Sequence, residues 1–126
     1  IYQCSEDGKG DTIKPRLEQA GADCNRVAFI KEDNDKLTLE DERIRDAIIQ
    51  IRAKMVVLDP IQAFIGHNGN MTNAVKMREI LSKLSKVAAE TNCAIVLVGH
   101  MNKSGGGNQL YRGLGSIDIG NGICFR

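Results

Sequence analysis

The chain predicts a three-layer α/β sandwich built around a mainly parallel sheet, and three observations point there. Four apolar runs of strand length alternate with segments of helical period, the rhythm of βαβ units. Two runs, Met55-Val56-Val57-Leu58 and Cys93-Ala94-Ile95-Val96-Leu97-Val98, contain no polar residue, the pattern of strands covered on both faces. Three of the four stop at side chains able to ionise or hydrogen-bond, as strands do where open α/β sheets place ligands.

Taken in order, the first strand is Ile1-Tyr2-Gln3-Cys4, ending in Ser5-Glu6-Asp7-Gly8. A helix over 11–20 follows, with Asp11 as N-cap, Pro15 near its first turn and Gly21 as its stop. The second strand is Arg26-Val27-Ala28-Phe29-Ile30, and 31–36 reads as a solvated, acid-rich loop. A second helix starts at Thr38, where Asp41 three residues on resembles a capping box. Ile44, Ala47, Ile48 and Ile51 then keep helical spacing. The third strand is Met55 to Leu58, closed by Asp59 and Pro60. A third helix over 72–91 carries the stripe Met77, Ile80, Leu81, Leu84, Val87 and Ala88, and leads into the fourth strand. Right-handed crossovers give the strand order 2-1-3-4, with the three helices on the two faces. Glu6, Asp7, Asp59 and His100 then share one edge.

Composition narrows the class. A length of 126 residues suits one domain, and 42% hydrophobic with 26% charged residues is ordinary for a soluble globular chain. A net charge of +1 selects no polyanionic partner. No apolar run approaches the roughly 20 residues of a membrane helix, and no signal peptide is visible. The four cysteines lack metal-ligand spacing, so they read as reduced apolar fillers in a cytoplasmic protein. The chain opens inside one strand and closes in a second strand-like run, Ile123-Cys124-Phe125-Arg126. Residues 1–126 are therefore expected to be one partial domain of a longer protein.

Asp59 carries the chemistry. A carboxylate at the end of a buried strand is costly unless compensated. Mg²⁺ held by nucleotide phosphate compensates it; an exposed Asp opening a turn before Pro60 is the plainer alternative. His100 has a plain alternative too, as a hydrogen-bonded strand-end histidine. His67, between Gly66 and Asn68, is a loop residue. The glycine-dense stretch 102–109 follows the strand whose end should be active, and loops of that length are commonly functional or disordered.

Four stretches now fall in line. Ser5-Glu6-Asp7-Gly8, Val57-Leu58-Asp59-Pro60-Ile61-Gln62, Val98-Gly99-His100-Met101-Asn102-Lys103 and Tyr111-Arg112-Gly113-Leu114-Gly115-Ser116 occur in an order and spacing that resemble the RecA-like ATPase core of plasmid- and phage-type hexameric replicative helicases. The resemblance implies ATP and Mg²⁺ as cofactors, single-stranded DNA as partner and a homo-oligomer, typically a hexamer. It implies that Asp59 is the Walker B carboxylate, holding Mg²⁺ through water, and that Glu6 activates the attacking water. It implies that His100 senses the γ-phosphate and that Lys103 lies in a nucleic-acid-facing loop. Gln62 would help position the nucleotide or cap the turn. Arg112 stays open between an arginine finger in trans, a DNA contact and a structural ion pair. One departure is large: no G-x-x-x-x-G-K-[ST] phosphate loop occurs in the 126 residues. A receiver-like or flavodoxin-like signalling module is the alternative, since it too puts acids after its first strand and an Asp after its third. Against it, the fourth strand ends in Gly99-His100 and not in a small hydroxyl residue.

Overall fold

The computed structural model describes residues 1–32, 35–66 and 74–99. Within them, three strands, β1 (Tyr2–Cys4), β2 (Met55–Asp59) and β3 (Ala94–Leu97), form one sheet in the order β1-β2-β3. Both pairings are parallel, with Cys4 opposite Asp59 on one side of β2 and Leu58 opposite Leu97 on the other. The helices are α1 (Lys14–Gln19), α2 (Glu42–Ile51) and α3 (Ala74–Thr91).

The four-strand order 2-1-3-4 is corrected to three strands, because 26–30 does not complete a ladder with β1. Tyr2 N–H donates to the Ala28 carbonyl at 2.9 Å, as a parallel neighbour's would. The next donor, Ile30 N–H, meets the side-chain carbonyl of Gln3 at 3.1 Å instead of a strand carbonyl. Gln3 is 1% exposed, and its amide group also donates to Glu32 at 3.1 Å. A side chain has replaced the ladder.

Covering on both faces is corrected as well. Alternation along the strands puts Val56 and Leu58, both 0% exposed, on one face, against Ile44 and Ile48 of α2 and Ile80 and Leu84 of α3. Burying each such side chain stabilises the fold by roughly 1.5–3 kcal/mol. The other face holds Tyr2, Cys4, Val57 and Asp59, with Met55 and Val96 well exposed among the described residues. The helix α1 does not cover it: it is six residues long, packs beside the turn Cys24–Arg26, and adds no side chain to the core cluster.

Local signals explain the helix ends. A single π-helical turn, Lys9–Ile13, precedes α1, so Asp11 lies inside the turn and is not its cap. Gly21 adopts φ 77°, and the bonds Gly21 N–H to Glu18 O and Ala22 N–H to Leu17 O close α1 as a Schellman stop. The start of α2 moves from Thr38 to Asp41, whose carboxylate accepts the Arg43 N–H at 3.0 Å. A cap must be the residue just outside the helix, and Thr38 instead accepts the Asp41 N–H in the preceding turn. The stripe on α3 packs as expected, with Met77, Ile80 and Leu84 buried.

The acidic loop is anchored at both ends. Glu32 accepts from Gln3 and from Leu37 N–H, while the Arg43 guanidinium donates to the carbonyls of Lys31, Asp35 and Lys36 and to Asp41 at 2.6 Å. Cys4, Cys24 and Cys93 are free thiols. The expected 123–125 strand lies outside the described residues.

The cap yields a pH prediction. Hydrogen bonding from Arg43 holds the Asp41 carboxyl below its ordinary value of 3.8. A lowered folded value means the stabilisation is present above pH 3.8 and disappears as pH falls through the folded value. Asp41→Ala should therefore cost about 1 kcal/mol near neutrality. Urea titrations of the two proteins should converge in acid, and a gap that persists there would assign the loss to something other than the carboxylate.

Candidate functional site

The parallel register brings the carboxyl ends of all three strands to one edge. Ser5 N–H donates to the Asp59 carbonyl at 3.2 Å, carrying the β1–β2 pairing one step past β1. Val98 N–H donates to the Leu58 carbonyl at 3.0 Å, and Ile61 N–H returns to the Val98 carbonyl at 2.7 Å. The chain leaving β2 is thereby tied across the end of β3. The Asp59–Pro60 peptide is cis, and the turn Ile61–Phe64 follows, with Ile61 and Phe64 buried and Gln62 half-buried.

Asp59 is half-buried at that edge. Tyr2 donates its phenol O–H to Asp59 Oδ2 at 2.9 Å. The contact follows from the register: Tyr2 lies opposite Val57, and a diagonal reach of two residues is within an aromatic side chain's length. Burial first, then the hydrogen bond and charge of Asp59, push the Tyr2 phenol up to about 12. It stays a donor at any physiological pH. Sequence reading missed Tyr2, since its signal is an aromatic two positions short of an acid across a strand pair, visible only once register is known.

The two acids after β1 are placed differently. Asp7 is bound to Arg16 of α1 at 2.6 Å, and its N–H lies 3.5 Å from Cys4 Sγ. Glu6 is exposed at the end of β1, on the strand adjacent to Asp59. The edge thus brings together Glu6, Asp59 and Gln62. His100, Lys103 and Arg112 lie outside the described residues, as does the 102–109 stretch.

Among the described residues, no group of three His, Cys, Asp or Glu side chains could hold a metal ion. A lone carboxylate suits a cation that keeps most of its waters and takes other ligands from phosphate, as Mg²⁺ does. Asp59 fits that part: its recorded hydrogen bond falls on Oδ2, and the donor is uncharged.

A family model described as an AAA domain matches residues 2–106. The chain belongs to the AAA domain family. The AAA match spans Glu6, Asp59, Gln62, His100 and Lys103 and stops before Arg112. It makes this an ATPase-type, nucleotide-binding domain of the phosphate-loop class, whose general reactants are ATP and Mg²⁺. No curated protein matches the chain. No helix among the described residues is long and apolar enough to cross a membrane.

The Tyr2–Asp59 contact can be read optically. The difference in phenolate absorbance between the protein and its Tyr2→Phe variant should show one tyrosine ionising at about 12. In an Asp59→Asn background it should ionise earlier, yet still above an ordinary tyrosine's ~10, because burial is the larger cause. A titration indifferent to Asp59→Asn would place the phenol elsewhere.

Proposed function

We propose that this AAA domain is the catalytic core of an ATP-driven DNA motor or remodelling protein of the hexameric replicative-helicase or DNA-repair type. One observation carries the reading: in a chain of this family, Asp59 ends the central strand and Glu6 lies two residues past the end of the strand beside it. A hydrolytic water would lie between a metal-binding carboxylate and a separate base on the adjacent strand's end. Bound Mg²⁺ supplies charge neutralisation at the phosphate oxygens. Asp59 would hold the hydrated ion. Glu6 accepts the proton of the attacking water, which its exposure at the strand end permits.

The phosphate loop usual in such ATPases does not occur within these 126 residues. Gln62, next to the edge, helps position the nucleotide. His100 reports the γ-phosphate to the glycine-rich loop, Lys103 meets DNA phosphate there, and Arg112 acts at a boundary between subunits of a homo-oligomer. The family match leaves the receiver-like and flavodoxin-like alternatives without support.

In the intact protein, Glu6→Gln should leave ATP binding nearly intact while lowering turnover by about 10²–10⁴-fold, the usual scale for a lost general base. Asp59→Asn should weaken Mg²⁺-dependent binding as well. Normal hydrolysis by the Glu6→Gln protein would remove Glu6 from the mechanism.

Lys103 tests the partner. Lys103→Ala should weaken single-stranded DNA binding equally for all sequences and reduce the salt slope by about one counterion, because a lysine on phosphate displaces one condensed cation. Superimposable slopes in titrations at several salt concentrations would deny the contact.

A further inference from the structure

We infer that Tyr2 is a positioning residue for Asp59, holding Oδ2 so that the carboxylate presents its other oxygen to a hydrated metal ion. The inference rests on the proposed metal-binding role of Asp59 and adds what orients it. The donor is close, at 2.9 Å, and its backbone is fixed. Tyr2 N–H is bonded to the Ala28 carbonyl at 2.9 Å, and the preceding carbonyl, of Ile1, accepts the Val57 N–H at 2.9 Å. A phenol carried on a paired strand is thus aimed at a carboxylate on the next strand. Both ends of the contact sit on the sheet, and neither depends on a loop.

The chemistry of the donor matters as much as its place. An aspartate at a strand end has two side-chain torsions to settle, and a donor on one oxygen settles both. Lysine or arginine in Tyr2's place would also orient the carboxylate, but would cancel the charge that attracts the cation. A phenol orients and leaves the full negative charge in place. Metal-ligating carboxylates are commonly held by such outer hydrogen bonds, whose loss costs metal affinity without removing a ligand. Phenylalanine preserves the ring on the sheet face and deletes only the donor, so the substitution isolates the hydroxyl.

The experiment is a calorimetric titration of ATP into the intact protein over a series of Mg²⁺ concentrations, reading the concentration that gives half the Mg²⁺-dependent gain in affinity. Tyr2→Phe should raise that midpoint about tenfold, the lower end of outer-shell effects. Affinity for ATP without metal should not change. Asp59→Asn should weaken the Mg²⁺-dependent gain, and Tyr2→Phe should add no further loss in that background. A Tyr2→Phe midpoint that is unchanged or lower overturns the inference while the role of Asp59 stands. A further loss from Tyr2→Phe in the Asp59→Asn background also overturns it, because the phenol would then act by another route. An Asp59→Asn protein with the parental Mg²⁺ dependence overturns the metal-site reading and the inference with it. Should Tyr2→Phe prove too unstable to titrate, Tyr2→Met, which also lacks the donor, must show the same raised midpoint.

Discussion

Parallel hydrogen bonding along both edges of β2 is the constraint on which the described structure depends. The strand is paired to β1 and β3 at once, so its register fixes theirs. Side chains alternate with a period of two, so a slip of one residue would turn Leu58 outward and bury Asp59. Packing forbids it. Val56 and Leu58 are fully enclosed by α2 and α3, and an aspartate in that place would be an uncompensated buried charge. The apolar face therefore sets where the carboxylate stands, and the same register brings Tyr2 within reach of it.

The elements around this ladder are tied by polar contacts of unequal weight. Gln3 is fully buried and satisfies the Ile30 N–H, so removing its carbonyl would orphan a buried donor, the costly kind of loss. Arg43 closes the acidic loop onto the start of α2 through three backbone carbonyls and Asp41. The ion pairs that join the helices and their approaches are more exposed: Glu40 with Lys76 and Lys83, and Arg45 with Glu90 at 3.8 Å. Exposed pairs contribute little individually, so these fix orientation more than they stabilise.

Much of this was legible in the residues. Unbroken apolar runs located β2 and β3, and helical spacing located the buried Ile44 and Ile48 of α2 and the stripe of α3, although Ile51, at the end of the same spacing, is 49% exposed. The polar residues closing the strands located the edge. Other features depended on information that periodicity does not hold. The 26–30 run has strand composition, but whether it completes a ladder was decided by one side chain, Gln3, outcompeting a backbone carbonyl. An apolar run looks the same whether one sheet face is covered or two, so the exposure of Met55 and Val96 was not foreseeable. The start of α2 was read at Thr38 with Asp41 as its capping-box partner, and the first helical residue, Glu42, makes Asp41 itself the cap. Tyr2 needed the register. Of the expected site, Glu6, Asp59 and Gln62 fall among the described residues, and the family match over 2–106 supports the ATPase class.

On the proposed function, metal and nucleotide meet the protein at the carboxyl edge of the β1-β2-β3 sheet. Mn²⁺ in place of Mg²⁺ tests it directly, because a paramagnetic ion broadens nuclear resonances steeply with proximity. With Mn²⁺ and ATP bound to the intact protein, signals from Cys4 to Asp7, from Asp59 to Gln62 and at Val98 and Gly99 should broaden first. Those of Lys54, Met55 and Cys93, at the opposite end of the strands, should broaden least. Broadening centred on that opposite end, or spread evenly along the strands, would place the ion away from the carboxyl edge.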